Sequence, residues 1–170
     1  METSTKVHRQ ASYSGGACNL LLVSGIDSKG KARTFLQVVT DPLRKRLEEI
    51  RRALLVLHKA LVDSERISYE GTIGAIRSPN QFLQLLLTDP WFAWLQPLSQ
   101  LIVSLDEALD AKEPLTAAKV DAAVKAASVL LAPSESGEGF SRHYFDAMQR
   151  DADVVLAHAE AIKLLGRRKP

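Results

Sequence analysis

The stretch Thr88 to Ala111, TDPWFAWLQPLSQLIVSLDEALDA, decides the fold class of this chain. Asp89 has the side chain of a helix N-cap, and Pro90 suits the first helical position, where the missing N–H would be unsatisfied anyway. From there Trp91, Trp94, Leu98, Leu101, Ile102, Leu105 and Leu109 recur at steps of three and four, the spacing of a helix with one buried face. Pro97 lies inside the pattern and removes one backbone hydrogen bond, which predicts a kink near Ala93. A face of this kind must be covered by other elements.

Upstream, Ser78-Pro79-Asn80 opens a short helix through Leu87 with Phe82, Leu85 and Leu86 on one side. Glu70-Gly71-Thr72-Ile73-Gly74 breaks the chain before it, and it lacks the lysine and preceding strand of a phosphate loop. A long helix is expected to start near Thr40-Asp41-Pro42 and to carry Leu43, Leu47, Ile50, Leu54, Leu57 and Leu61 on a seam of alternating steps. Its outer face holds Arg44, Lys45, Arg46, Arg51, Arg52, Lys59 and Arg66 with Glu48, Glu49, Asp63 and Glu65 between them. That mixture reads as a solvated face with pairs such as Glu48 to Arg52, and a nucleic-acid surface is the weaker alternative. Downstream, Thr116 caps a helix through Leu131 with Val120, Val124, Ala127 and Leu131 inward. Pro133 to Gly139 is a polar loop. The last helical region runs from Phe140 to Leu165, with Phe140, Tyr144, Met148, Val155, Ala159 and Ile162 as its expected buried line and Asp151 and Asp153 able to cap a break in it. The pattern predicts an all-α fold, an antiparallel four-helix bundle with one additional short helix and a disordered N-terminal tail.

Apolar residues make up 46% of the 170, enough for one core of ordinary size. The expected division is a disordered or loosely attached extension over 1–35, a single bundle over 36–166 and a basic tail over 167–170. Leu20 to Ile26 is an apolar patch, but a strand over Leu20 to Ser24 would have no evident partner. The formal net charge of +2 gives no global bias toward nucleic acid. The single Cys18 excludes an intrachain disulfide and, with no secretion signal in view, favours a cytoplasmic location. No apolar run is long enough to span a bilayer, so no membrane association is expected.

Asp89-Pro90-Trp91-Phe92-Ala93-Trp94-Leu95, with Pro97-Leu98-Ser99 and Leu101-Ile102-Val103 behind it, resembles a segment of uncharacterised bacterial all-helical proteins. The likeness extends from about Leu54 to Leu165, through Ser136-Gly137-Glu138-Gly139-Phe140 and Val154 to Glu160. It implies a bacterial source and a helical fold, and it brings no assigned activity with it.

Bundles often house metals, and the required spacings are checkable. A di-metal carboxylate centre needs Glu three residues before His, whereas Leu55, Phe140 and Val155 precede His58, His143 and His158. On one continuous helix, His143 and His158 would lie roughly 22 Å apart at 1.5 Å per residue, too far to share a metal. No catalytic residue, metal site or cofactor is therefore predicted. His58 and His158 both have apolar neighbours at helical spacing, and Asp106 and Tyr144 are placed to join them in one buried polar cluster. Adjacent Trp91 and Phe92 cannot both face one core stripe, which makes them the candidate interaction surface. The leading expectation is a non-enzymatic association module that binds itself or a protein partner. The alternatives are a small-molecule or metal-binding bundle using His58, Asp106, Tyr144 and His158, and nucleic-acid binding through the first helix.

Overall fold

A computed structural model describes the backbone of residues 23–26 and 32–167 and the side chains of residues 42–167. Cys18, the tail 168–170 and most of the expected N-terminal extension lie outside the described residues. The chain divides into two compact units, Met1–Phe35 and Leu36–Pro170.

In the first unit, strand β1 (Val23–Ile26) pairs antiparallel with β2 (Ala32–Thr34), Ile26 opposite Ala32 and Val23 opposite Thr34. The apolar patch does find a strand partner, contrary to the sequence expectation. That partner is ART, a segment too short and mixed to carry the alternating pattern by which strands are read.

The second unit is all-helical among the described residues. Helix α1 (Phe35–Thr72) is longer than expected, because Pro42 lies inside it rather than at its start. Its seam is buried as predicted from Leu43 to Leu61. Ser78 Oγ caps α2 (Pro79–Thr88) by accepting from the Gln81 N–H at 3.1 Å. Asp89 then caps the next element, accepting from the Trp91 N–H at 2.9 Å. That element is a 3₁₀ segment over Pro90–Leu95, and α3 (Gln96–Asp110) follows directly from it. The expected kink at Ala93 is thus replaced by a change of helix type. Pro97 sits in the first turn of α3, where its missing N–H has no helical partner to lose.

Thr116 caps α4 (Ala117–Leu130) through the Lys119 N–H. The last region divides into α5 (Phe140–Arg150) and α6 (Ala152–Gly166), with Asp151 in extended backbone and its carboxylate accepting from the Asp153 N–H at 2.9 Å. The break resets the helical phase. Phe140, Tyr144 and Ala147 are buried on α5, but α6 buries Val154, Ala157, Ala161 and Leu165 instead of Val155, Ala159 and Ile162.

Packing neighbours are α3 with α4, α4 with α6, and α5 with α6, while the 3₁₀ segment touches α2, α3 and α5. One core joins the α1 seam to Phe92, Trp94, Leu98, Leu105, Val120, Leu131, Tyr144 and Val154. No helix is long and apolar enough to cross a membrane among the described residues.

Candidate functional site

Helix α1 places three polar side chains along one edge of its leucine seam at steps of seven residues, Arg51, His58 and Glu65. Residues seven apart lie nearly above one another, about 10 Å along the axis. Each meets a different partner. The Arg51 guanidinium pairs with the Asp106 carboxylate of α3. His58 Nε2 and Ser99 Oγ are hydrogen-bonded at 2.8 Å. Glu65 Oε2 accepts from the Trp91 indole N–H at 2.8 Å. Partner numbers fall as α1 numbers rise, so the two strips of chain run in opposite directions.

The four residues expected to form one cluster are therefore divided. Asp106 is held by Arg51 and His58 by Ser99, and only Tyr144 and His158 meet, with Tyr144 Oη 2.6 Å from His158 Nδ1. Burial pushes the Tyr144 phenol well above its usual range and lowers His158. Both directions keep the pair neutral, so one proton lies between Tyr144 Oη and His158 Nδ1 and the contact is a hydrogen bond between uncharged groups. Tyr144 is fully covered and packs against the Phe140 ring at 5.3 Å, which makes this pair an interior hydrogen bond that ties α5 to α6 across their break.

A second polar cluster was not anticipated from the sequence. Glu65 is 5% exposed and receives both the Arg150 guanidinium of α5 and the Trp91 indole, while Arg150 Nε donates to Ser64 Oγ at 3.3 Å. Arg150 lies eighty-five residues from Glu65 in the chain, and no local spacing announces such a pair. One clue was present: Ser64 and Glu65 extend the leucine seam by one more step.

Trp91 and Phe92 do not form an exposed contact pair. Phe92 is 1% exposed and packs against Tyr69 at 5.4 Å and Phe82 at 5.9 Å, while Trp91 is half-buried, with Tyr69 edge-on at 5.7 Å. The 3₁₀ segment Pro90–Leu95 repeats every three residues, which sets Phe92 in line with Leu95, and both are buried, while Trp91 lies at the edge of the same aromatic junction. Trp94 is buried against Phe140 and stacks on His143 at 5.4 Å, and its indole N–H has no hydrogen-bond partner.

The cationic edge of α1 is largely engaged. Arg44 pairs with Glu48 at 3.2 Å in place of the expected Glu48–Arg52 pair, Lys59 with Asp63, and Arg66 with Glu70 at 3.3 Å. Arg66 also lies over the Phe82 ring at 5.2 Å. Among the described residues, no group of three or more His, Cys, Asp or Glu side chains is arranged to hold a metal ion.

Burial lowers both His58 and His158. The folded state then binds fewer protons than the unfolded chain, so stability rises with pH through this window. The histidine contribution is fully present above about pH 6.5, the unfolded value, and is lost as pH falls from there toward the folded values. Urea midpoints should fall from about pH 7.5 to about pH 5.5, and His58→Gln with His158→Gln should flatten that slope. An unchanged slope in the double variant would assign the acid sensitivity to other groups.

No family model matches the chain, and neither a curated protein nor a solved structure matches it.

Proposed function

We propose that the helical unit is an association domain that binds another protein surface, built on a four-helix core of α1, α3, α4 and the broken α5–α6 pair. The observation that carries this reading is the character of α6. Its buried side is Val154, Ala157, Ala161 and Leu165, and its uncovered side carries, beside the charged Asp153, Glu160 and Lys163, an apolar strip of Val155, Ala159 and Ile162 with Leu156 66% exposed at its edge. An apolar strip left open on a helix face is characteristically covered by a partner. Two polar pairs support the same reading, because Glu65 is engaged by Arg150 and Tyr144 by His158.

Static light scattering over a rising concentration series tests it, with or without added cell extract from the source of the gene. A mass above that of the monomer is expected, and a chain that stays monomeric and gains no partner contradicts the reading. The ligand-binding alternative rests on Tyr144 and His158, the only two of its four residues that meet.

A further inference from the structure

The uncovered side of α6 has a regular pattern. Ala152, Val155, Ala159 and Ile162 follow one another at steps of three, four and three, and all four are exposed. This is the spacing of a helix–helix seam, carried on the face the domain leaves open. Residue size alternates along it: alanine, valine, alanine, isoleucine. The alanines lie seven residues apart and so do the branched residues, so they occupy the two alternating seam positions separately.

We propose that this face pairs with a second copy of the same chain, α6 against α6 in opposite directions about a two-fold axis; the inference rests on the association reading above. In an antiparallel pair, one kind of seam position faces the other kind on the partner helix. An axis near Ala157 then sets Ala152 opposite Ile162 of the second copy and Val155 opposite its Ala159, and symmetry repeats both layers. Every one of the four layers joins one alanine to one branched side chain. That is the large-against-small arrangement by which facing helices interdigitate. A parallel pairing would set alanine against alanine and leave those layers open. The surface is thus complementary to itself in one relative direction, as an isologous interface requires.

Leu156 fits the same axis. It lies one residue from it on the edge of the seam, so the two copies of this side chain meet and its exposure is removed. Helix α4 packs beside α6 and leaves Ala118, Ala122, Ala126 and Val129 exposed on its own outer side, the last 70% exposed.

The test compares the wild-type protein with Leu156→Glu and Leu87→Glu by light scattering over a concentration series, with circular dichroism as the folding control. Leu87 is a comparably exposed leucine on α2. A wild-type dimer that L156E converts to monomer and L87E leaves intact is the expected result, because L156E brings two carboxylates together at the axis. A dimer that survives L156E and is split by L87E overturns the α6 face but leaves the association reading standing. A wild-type chain that remains monomeric yet captures a different protein overturns the second copy alone, and one that associates with nothing overturns both. If L156E fails the folding control, Leu156→Cys in a Cys18→Ser background decides the matter with a short bis-maleimide: a covalent dimer formed at low protein concentration is expected, and only singly labelled monomer overturns the pairing.

Discussion

Phe92→Ala is expected to lower the unfolding free energy by about 3–5 kcal/mol, the range for removing a fully buried aromatic side chain. The ring is covered and stands between Tyr69 of α1 and Phe82 of α2. Its loss removes apolar burial, opens a cavity and cancels two aromatic contacts at the junction where the end of α1, α2 and the 3₁₀ segment meet. Collapse cannot refill the space cheaply, since Asp89 caps the segment on one side and α3 continues it on the other. Against a typical total of about 5–15 kcal/mol, the change takes a large share of the stability. Urea unfolding followed by circular dichroism measures it. A loss below about 1 kcal/mol would mean that the junction is not closed around this ring.

Glu65→Ala should cost about 3 kcal/mol, at the low end for breaking a buried ion pair. The carboxylate is covered, but the Arg150 side chain is 37% exposed and can turn partly toward water once its partner is gone. The Trp91 indole N–H loses its acceptor at the same time. The cost arises mainly from what is left unpaired, and this gives the prediction a second arm. Replacing both ends, Glu65→Leu with Arg150→Met, should recover much of the loss, because two apolar side chains leave neither charge stranded. A double-mutant cycle reads the coupling. If E65A costs no more than an exposed surface pair, less than about 1 kcal/mol, the cluster is not holding α5 to α1.

Caps and apolar steps were the most legible features of the chain. Ser78, Asp89, Thr116 and Asp151 each cap the element that follows them, and the seam from Leu43 to Leu61 is buried throughout. These signals are local, set by one side chain and the two or three N–H groups after it. What misled was phase. Proline favours first turns, so Pro42 predicts a helix start, yet α1 begins seven residues earlier. The 3₁₀ segment Pro90–Leu95 repeats every three residues rather than about every 3.6, which lines Phe92 up with Leu95 on the buried side. The break at Asp151 shifts the phase of α6, so Val155, Ala159 and Ile162, which a continuous helix would bury, face outward instead.

The candidate site was less legible than the fold. His58, Asp106, Tyr144 and His158 share apolar neighbours along the chain, but shared character does not imply shared location. Arg51 and Ser99 lie beside two of them and satisfy them first. Glu65 and Arg150 show the converse, a pair of charged residues that composition assigns to the surface and the fold draws together.

The three polar contacts along α1 also act as a register lock. A leucine seam repeats every seven residues, so in the layers that remain after sliding α3 past α1 by one repeat, apolar residues would again meet apolar residues. The polar edge would not survive the slip, because Arg51 would then face Ser99 and His58 would face Trp91, leaving a guanidinium without its carboxylate. A cation–carboxylate pair, an imidazole–hydroxyl pair and a carboxylate–indole pair are each satisfied in one alignment only. The leucines decide that the helices adhere, and the sequence of unlike rungs decides which of several equally greasy alignments is the native one.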